Sequence, residues 1–137
     1  MTDVLQQTGP AQRLAGEGIG WLTTAGANGQ PQSSPVWFLW DGTSLWLRSQ
    51  AQAGKVRNIK ANPRVAFHLA DDGQGGNILT IEGAASLEAE LPEQLLDAYL
   101  AKYGEAIRTG LQTTPEQLAA DYPITIRIAP SRTRVVT

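Results

Sequence analysis

The sequence contains no cysteine, and this absence excludes several kinds of site. Disulfide frameworks, iron–sulfur clusters and thiolate zinc sites all need cysteine, which does not occur among the 137 residues. Histidine is nearly absent as well, because His68 is the single one. One histidine cannot build a multi-histidine metal centre, and it makes a Ser-His-Asp triad a weak hypothesis. We therefore expect no metal site.

The chain also lacks an excess of positive charge and any long apolar run. Its net charge is −2, whereas a general nucleic-acid-binding protein presents a basic face. No apolar run approaches the ~20 residues that cross a bilayer, and Met1–Gln12 lacks the basic-then-apolar pattern of a secretion signal. We therefore expect a cytoplasmic protein that binds neither nucleic acid nor membrane, folded as one domain over 1–137.

The sequence does contain many short β-type segments separated by turn residues. Asn28-Gly29 and Asp41-Gly42 are typical of tight hairpin turns, because these residue types tolerate positive φ. Apolar and polar residues alternate over Ile78–Glu90, which predicts a long antiparallel strand with one solvated face, and Gly83 within it indicates a β-bulge. The predicted strands are Gly18–Ala25, Gln32–Trp40, Ser44–Ser49, Arg64–Ala70, Ile78–Glu90, Tyr122–Ile128 and a short one at Arg132–Val136.

Helical patterns separate some of these strands. A weak pattern over Asp3–Glu17 is interrupted at Gly9-Pro10, which predicts a short helix after the break. Stronger patterns cover Ala51–Ala61, which ends before a proline, and Pro92–Gly110. A final short helix opens with Thr114 as N-cap, Pro115 in the first turn and Gln117 as capping-box partner. Because hairpins dominate and helices are few, the sequence predicts a mostly antiparallel barrel of six or seven strands.

Residues suited to binding a phosphate occur between Gln32 and Asn58. No GxGxxG, Walker or GxSxG motif is present. Instead, Ser33-Ser34 on one strand and Arg48-Ser49-Gln50 at the end of the next are followed by Lys55 and Arg57 near a helix start. Free N–H groups and the positive dipole end of that helix favour an anion. The same cations are also typical of a solvated helix face, and the residues alone leave both interpretations open.

The region Trp21–Leu69 is similar to a known family. It reads WLTTAGANGQPQSSPVWFLWDGTSLWLRS and, after a short gap, KVRNIKANPRVAFHL. A strand ending in threonines, a hairpin, a Pro-Val-Trp strand, Lys-x-Arg-Asn and Asn-Pro-Arg-Val occur in this order, as in the pyridoxamine 5'-phosphate oxidase-like family. The later segment KYGEAIRTGLQTTPEQLAADYPITIRIAPSRTRV resembles the F420-dependent oxidoreductase branch of that family.

The resemblance implies a mainly β fold, the FMN-binding split β-barrel, assembled as a homodimer with the cofactor at the subunit interface. The cofactor would perform hydride transfer on a small-molecule substrate while the protein orients and shields it, so no catalytic residue is expected. Lys55 would hold the cofactor phosphate. The other cofactor-binding residues that the resemblance implies lie along the ring, near the phosphate or ribityl chain, or directly after the lysine: Ser34, Pro35, Val36, Trp37, Ser49, Gln50, Arg57 and Asn58.

One departure from the family pattern bears on the cofactor. The strand with Gln32–Val36 lacks the arginine expected of FMN-using oxidases, which favours coenzyme F420, with FMN as the alternative. We expect an F420H2-dependent reductase acting on a small unsaturated or quinone-like molecule. An FMN-binding oxidoreductase and a non-catalytic flavin- or haem-binding protein, with His68 as the only histidine ligand, are the alternatives.

The C-terminal segment carries three further candidate residues, Arg127, Arg132 and Arg134. In related proteins this part of the chain approaches the partner's cofactor, so the resemblance implies that at least one of these arginines borders the site and favours an anionic ligand. The alternative is that they are exposed strand cations without a role in binding.

Overall fold

The computed structural model describes residues 4–136, apart from the side chains of Gln6 and Thr8. Seven strands form one sheet in the order β2-β1-β5-β6-β7-β4-β3, in which every neighbouring pair is antiparallel. The sheet curls into a half-barrel with flanking helices, which confirms the predicted split β-barrel. The strands are β1 (Gly20–Ala25), β2 (Pro31–Val36), β3 (Leu39–Trp40), β4 (Leu45–Ser49), β5 (Arg64–His68), β6 (Ile78–Glu88) and β7 (Ile124–Val136).

The curl of the sheet follows from how the chain passes between β2 and β3. The prediction of one continuous strand over Gln32–Trp40 is wrong, because the strand breaks at Trp37 and Phe38. β2 is one edge of the sheet and β3 is the other, and only these two residues connect them. The two edges must therefore lie close together. At the break, the Phe38 amide donates to the Tyr103 hydroxyl over 2.9 Å instead of to a strand.

The long pair β6 and β7 contains the bulge that Gly83 indicated. The register passes from Glu82 opposite Arg132 to Gly83 opposite Pro130, so Ser131 is the additional residue and it belongs to the partner strand. The predicted gap between two C-terminal strands is therefore wrong, because β7 continues through the bulge. A Cβ at Gly83 would approach the carbonyl oxygen of Ala129 to 2.4 Å, which explains the glycine.

Four α-helices flank the sheet: α1 (Thr8–Gly16), α2 (Gly54–Ala61), α3 (Leu96–Glu105) and α4 (Pro115–Asp121). The prediction of a short helix after a break at Gly9-Pro10 is wrong, because α1 includes both residues. A proline is tolerated in the first turn of a helix. The predicted start at Asp3 lies outside the described residues. A 3-10 turn precedes α3 and a π-helical turn over Ala106–Gly110 follows it. In residues 4–136 no helix is long and apolar enough to cross a membrane.

The predicted cap of α4 is confirmed in part. The backbone N–H of Gln117 donates to the Thr114 hydroxyl over 3.1 Å, as expected for an N-cap. The Gln117 side chain donates to Asp121 over 2.9 Å. Thr114 is therefore the N-cap. The Gln117 side chain binds Asp121 and not the Thr114 backbone, so the predicted capping box is not formed.

Two apolar clusters hold the fold together. The main core fills the inside of the sheet and includes Phe38, Phe67 and Ile81. The second core lies between β4 and the helices α3 and α4 and includes Tyr99 and Tyr103. This second core fixes α3 and α4 against one end of the sheet, where the candidate site lies.

Candidate cofactor site

Two adjoining concavities meet at Lys55. The first is a cavity of about 230 Å³ between β2, β4 and the α3–α4 region. The second is an open groove of about 500 Å³ along β2 and the start of α2. The cavity is lined by Pro35, Val36, Trp37, Arg48, Lys55, Tyr99, Leu111, Leu118 and Tyr122. The groove is lined by Thr24, Gln32, Ser33, Ser34, Ala53, Gly54 and Lys55.

The groove owes its shape to side-chain hydrogen bonds between α2 and the first hairpin. The Asn58 amide donates to the Thr24 hydroxyl and to the Gln32 side-chain oxygen, both over 3.0 Å. The Thr23 and Ser33 hydroxyls share a bond of 2.7 Å across the hairpin. Asn58 therefore sets the position of α2, and its side chain faces the strands.

Lys55 is half-buried in the first turn of α2, and this burial lowers the pKa of its ammonium group. The N-cap position, Ala53, offers no side-chain hydrogen bond to the first turn, so the helix start retains free N–H donors. Within residues 4–136 the ion pairs are Arg13–Glu17 and Arg134–Glu82, and neither involves Lys55. A half-buried cation beside a helix start and without a carboxylate partner favours an anionic ligand.

A ring stack and two hydrogen bonds hold the apolar wall beside Lys55 in position. The Trp37 ring stacks on the Tyr103 ring with centroids 4.4 Å apart and planes 4° apart. The Tyr103 hydroxyl donates to the Gly18 carbonyl over 2.7 Å while accepting from the Phe38 amide. Tyr103 of α3 therefore covers the Trp37 ring and binds the backbone at Phe38.

The structure brings five of the nine predicted cofactor-binding residues to these two concavities. They are Ser34, Pro35, Val36, Trp37 and Lys55. The other four, Ser49, Gln50, Arg57 and Asn58, line neither concavity. Of these, Asn58 binds Thr24 and Gln32, as described above.

The remaining three lie close by. Ser49 is buried and donates to the Gln50 carbonyl over 3.0 Å, while Gln50 itself is exposed. Arg57 is exposed, with its guanidinium 3.9 Å from the position of a Cβ on Gly54 at the groove edge. These residues adjoin the site without lining it.

On the far wall of the cavity, Arg48 was predicted only as one of the polar residues near a phosphate, and its neighbour Tyr99 was not predicted as a site residue. Arg48 lies over the Tyr99 ring, with 4.6 Å between its Cζ and the ring centroid. Burial raises the pKa of Tyr99, and the neighbouring Arg48 opposes this rise. The sequence signal was an arginine following the apolar run Leu45–Leu47 in a short strand. Nothing in the sequence showed that α3 would cover it.

The C-terminal arginines lie outside both concavities in the described chain. Arg127 donates to the Ser44 hydroxyl over 3.2 Å and lies 5.4 Å from the Trp46 ring centroid. Arg134 forms an exposed ion pair of 3.8 Å with Glu82. Arg132 is exposed as well, and a contact with a partner's cofactor stays a prediction for all three arginines.

Comparison with known proteins gives a family and several relatives. The family described as pyridoxamine 5'-phosphate oxidase matches residues 11–136. The 5a,11a-dehydrotetracycline/5a,11a-dehydrooxytetracycline reductase of Streptomyces rimosus subsp. rimosus is 40% identical over 62 residues, which cover 42% of this chain and 44% of that protein. The match thus spans less than half the length of this relative.

Two solved structures show the likeness in three dimensions. A structure described as an F420 reductase has a TM-score of 0.69 and 29% identity, covering 90% of this chain and 94% of that one. HutZ, a heme storage protein from Vibrio cholerae, has a TM-score of 0.67 at 21% identity, covering 94% of both chains, and shares the fold alone.

Proposed function

Because this chain belongs to the pyridoxamine 5'-phosphate oxidase family, we propose that it binds coenzyme F420 and acts as an F420H2-dependent reductase. The similarity to two reductases supports a flavin-related oxidoreductase. The observation that carries the proposal is the position of Lys55, which lines both a polar groove and a cavity with an aromatic wall. A cofactor with a phosphate chain and a flat ring needs these two environments side by side.

The groove suits the phosphate end of such a cofactor. Lys55 supplies a cation, the start of α2 supplies N–H donors, and Ser34 supplies a hydroxyl. Asn58 keeps α2 in place through its bonds to Thr24 and Gln32. These residues bind and position the phosphate end.

The wall that continues β2 beyond the groove, along one side of the cavity, suits the ring end. Pro35, Val36 and Trp37 form one continuous wall, and Tyr103 holds the Trp37 plane. When bound, F420H2 would supply the hydride and, in total, the proton that reduce a double bond of the substrate. Leu111 and Leu118 add apolar surface to the lining of the cavity. The protein's contribution is orientation and shielding, which agrees with the lack of a catalytic constellation in the sequence.

Two observations favour F420 over FMN, and a third favours an unsaturated substrate. One relative is an F420 reductase, and the strand with Gln32–Val36 has no arginine. The other relative is named for the reduction of 5a,11a-dehydro compounds, which supports a small unsaturated or quinone-like acceptor. FMN is the second candidate cofactor. His68 lines neither concavity, so the structure offers no support for haem binding at the same site.

We also propose a cytoplasmic homodimer with a cofactor site at the subunit interface. The groove is open on one side, and Ile19 and Trp21 on or beside β1 are 45% and 39% exposed. Large apolar side chains on a sheet face favour an interface, and a two-fold dimer is the commonest arrangement. Sedimentation at micromolar concentration should show a dimer; a stable monomer would contradict this proposal.

Equilibrium titrations test the proposed function. Purified protein is titrated with F420 and with FMN separately, followed by absorbance, and F420H2 oxidation is then measured without oxygen in the presence of a quinone. We expect saturable F420 binding and quinone-dependent F420H2 oxidation. Tight FMN binding with no F420 binding would move the assignment to FMN, and binding of neither cofactor would overturn it.

A further inference from the structure

The cavity next to Lys55 holds a second cation and no acidic side chain. Its nine lining residues include Arg48 and Lys55 but no aspartate or glutamate. Neither cation belongs to an ion pair in residues 4–136, where the pairs are Arg13–Glu17 and Arg134–Glu82. Partly buried charges are normally paired. Two of them facing one cavity without a counter-charge indicate that an anionic ligand completes the site.

The surroundings of Arg48 hold its guanidinium in place. Arg48 is half-buried in β4, where it pairs with Thr125 of β7, so its backbone is fixed by the neighbouring strand. Its guanidinium lies 4.6 Å from the centroid of the Tyr99 ring, which itself packs on Tyr103 at 5.2 Å. A guanidinium stacked on a ring keeps donors at its edge, and this fork matches a carboxylate or a similar pair of oxygens.

The other cavity walls determine the shape of the ligand. Pro35, Val36, Leu111 and Leu118 are apolar, and Trp37 and Tyr122 are aromatic. The volume of about 230 Å³ lies below the range of roughly 300–1,000 Å³ that is usual for drug-sized ligands. There is space for one small ring system between these walls, with a charged group at the Arg48 end.

We propose that this cavity binds the substrate and that the substrate is a small planar organic acid, with a carboxylate or an acidic enol oxygen paired to Arg48. Assigning the Arg48 side of the cavity to the substrate rests on the proposed function, because that function gives Lys55, the groove and the Pro35–Trp37 wall to the cofactor. The chemistry of the ligand rests on the cavity alone. Arg48 is thus a specificity-determining residue, and Tyr99 positions it.

The test compares 2-naphthoate with 2-naphthamide, which have the same rings and differ in charge. Calorimetric titration of the wild-type protein should give tighter binding of the acid by about ten- to a hundred-fold, as expected for a charge-assisted hydrogen bond. Arg48→Met should reduce the affinity for the acid to that for the amide and leave the affinity for the amide unchanged. Arg48→Lys, which keeps the charge but not the fork, should retain part of the preference.

Controls separate this inference from the proposed function. Arg108→Met removes an exposed cation that lines neither concavity and should leave both naphthyl affinities unchanged; circular dichroism checks the fold of every variant. In F420 and FMN titrations, Lys55→Ala should weaken binding while Arg48→Met does not.

Three results would overturn the inference. They are equal wild-type affinity for acid and amide, a preference unchanged in both Arg48 variants, and a loss of cofactor affinity in Arg48→Met as large as in Lys55→Ala. An acid preference that depends on Arg48 in a protein binding neither cofactor would support the ligand chemistry and contradict the proposed function.

Discussion

The Tyr103 hydroxyl connects three parts of the chain, and its removal should have a measurable cost. It accepts from the Phe38 amide over 2.9 Å and donates to the Gly18 carbonyl over 2.7 Å. Phe38 is fully buried, whereas Gly18 is exposed. In Tyr103→Phe, water can therefore replace the hydroxyl at Gly18 but not at Phe38. The ring, and with it the stack on Trp37, should stay in place.

The expected loss follows from the buried amide. A buried donor without a partner costs about 1–3 kcal/mol, so Tyr103→Phe should lower the free energy of unfolding by about 2 kcal/mol. Urea denaturation at a fixed protein concentration measures this loss. Tyr122→Phe, which removes the hydroxyl of a tyrosine that is 36% exposed, is the matched control and should change stability by less than about 0.5 kcal/mol.

A loss from Tyr103→Phe no larger than that from Tyr122→Phe would refute the reasoning. It would mean that the break between β2 and β3 does not depend on this hydroxyl. Cofactor affinity should be unchanged in Tyr103→Phe, because the wall that the Trp37 ring forms is retained.

Two further predictions concern stability. Gly83→Ala should destabilise the protein by about 1–3 kcal/mol, because the new Cβ would approach the Ala129 carbonyl oxygen to 2.4 Å. Gly104→Ala in α3, with open space around the new Cβ, should stabilise the protein by about 0.5–1 kcal/mol. Equal urea midpoints for the two variants would contradict this. Burial lowers the pKa of Lys102 from 10.5 to about 8. Between these two values Lys102 is still protonated in the unfolded chain but not in the folded one, so the free energy of unfolding should rise with pH. The rise should end near pH 10, since burial raises the pKa of Tyr99 and Tyr103. Lys102→Met should show a smaller rise, because burial lowers the pKa of Lys55 as well and that contribution remains; the same slope in both proteins would refute the assignment.

The parts of the fold that depend on local chemistry could be predicted from the sequence. The hairpin at Asn28-Gly29 was predicted from residue type, and Gly29 has φ of 78°. The turn is longer than predicted, because Ala25 pairs with Pro31 and Asn28 does not have positive φ. The cap at Thr114 is likewise local, because its hydroxyl binds a backbone N–H three residues along the chain. The bulge was indicated by Gly83, although its additional residue, Ser131, lies on β7. The break after Val36 could not be predicted in this way, because its cause, Tyr103, is 65 residues further along the chain.

In the candidate site too, the local features could be predicted from the sequence and the contacts between distant segments could not. Lys55 could be found because the cation, the helix start and the preceding strand are neighbours in sequence. Arg48 and Tyr99 meet only because the second apolar core holds α3 against β4. The periodicity of Pro92–Gly110 showed that this helix has an apolar face, but it did not show which strand that face covers.

Lys55 provides the most direct test of the central claim, that a phosphate-bearing flavin-type cofactor binds where the groove and the cavity meet. Lys55 is half-buried and lines both, whereas Lys60 in the same helix is exposed and lines neither. A charged hydrogen bond contributes about 1.5–3 kcal/mol, which corresponds to about ten- to a hundred-fold in affinity.

The measurement is equilibrium titration of wild type, Lys55→Ala and Lys60→Ala with F420 and with FMN, with circular dichroism as the folding control. For whichever cofactor the wild type binds, we predict that Lys55→Ala lowers the affinity by about ten- to a hundred-fold, while Lys60→Ala leaves the affinity nearly unchanged. Equal and small effects of the two substitutions would contradict the account, because Lys55 would then be only part of a solvated helix face.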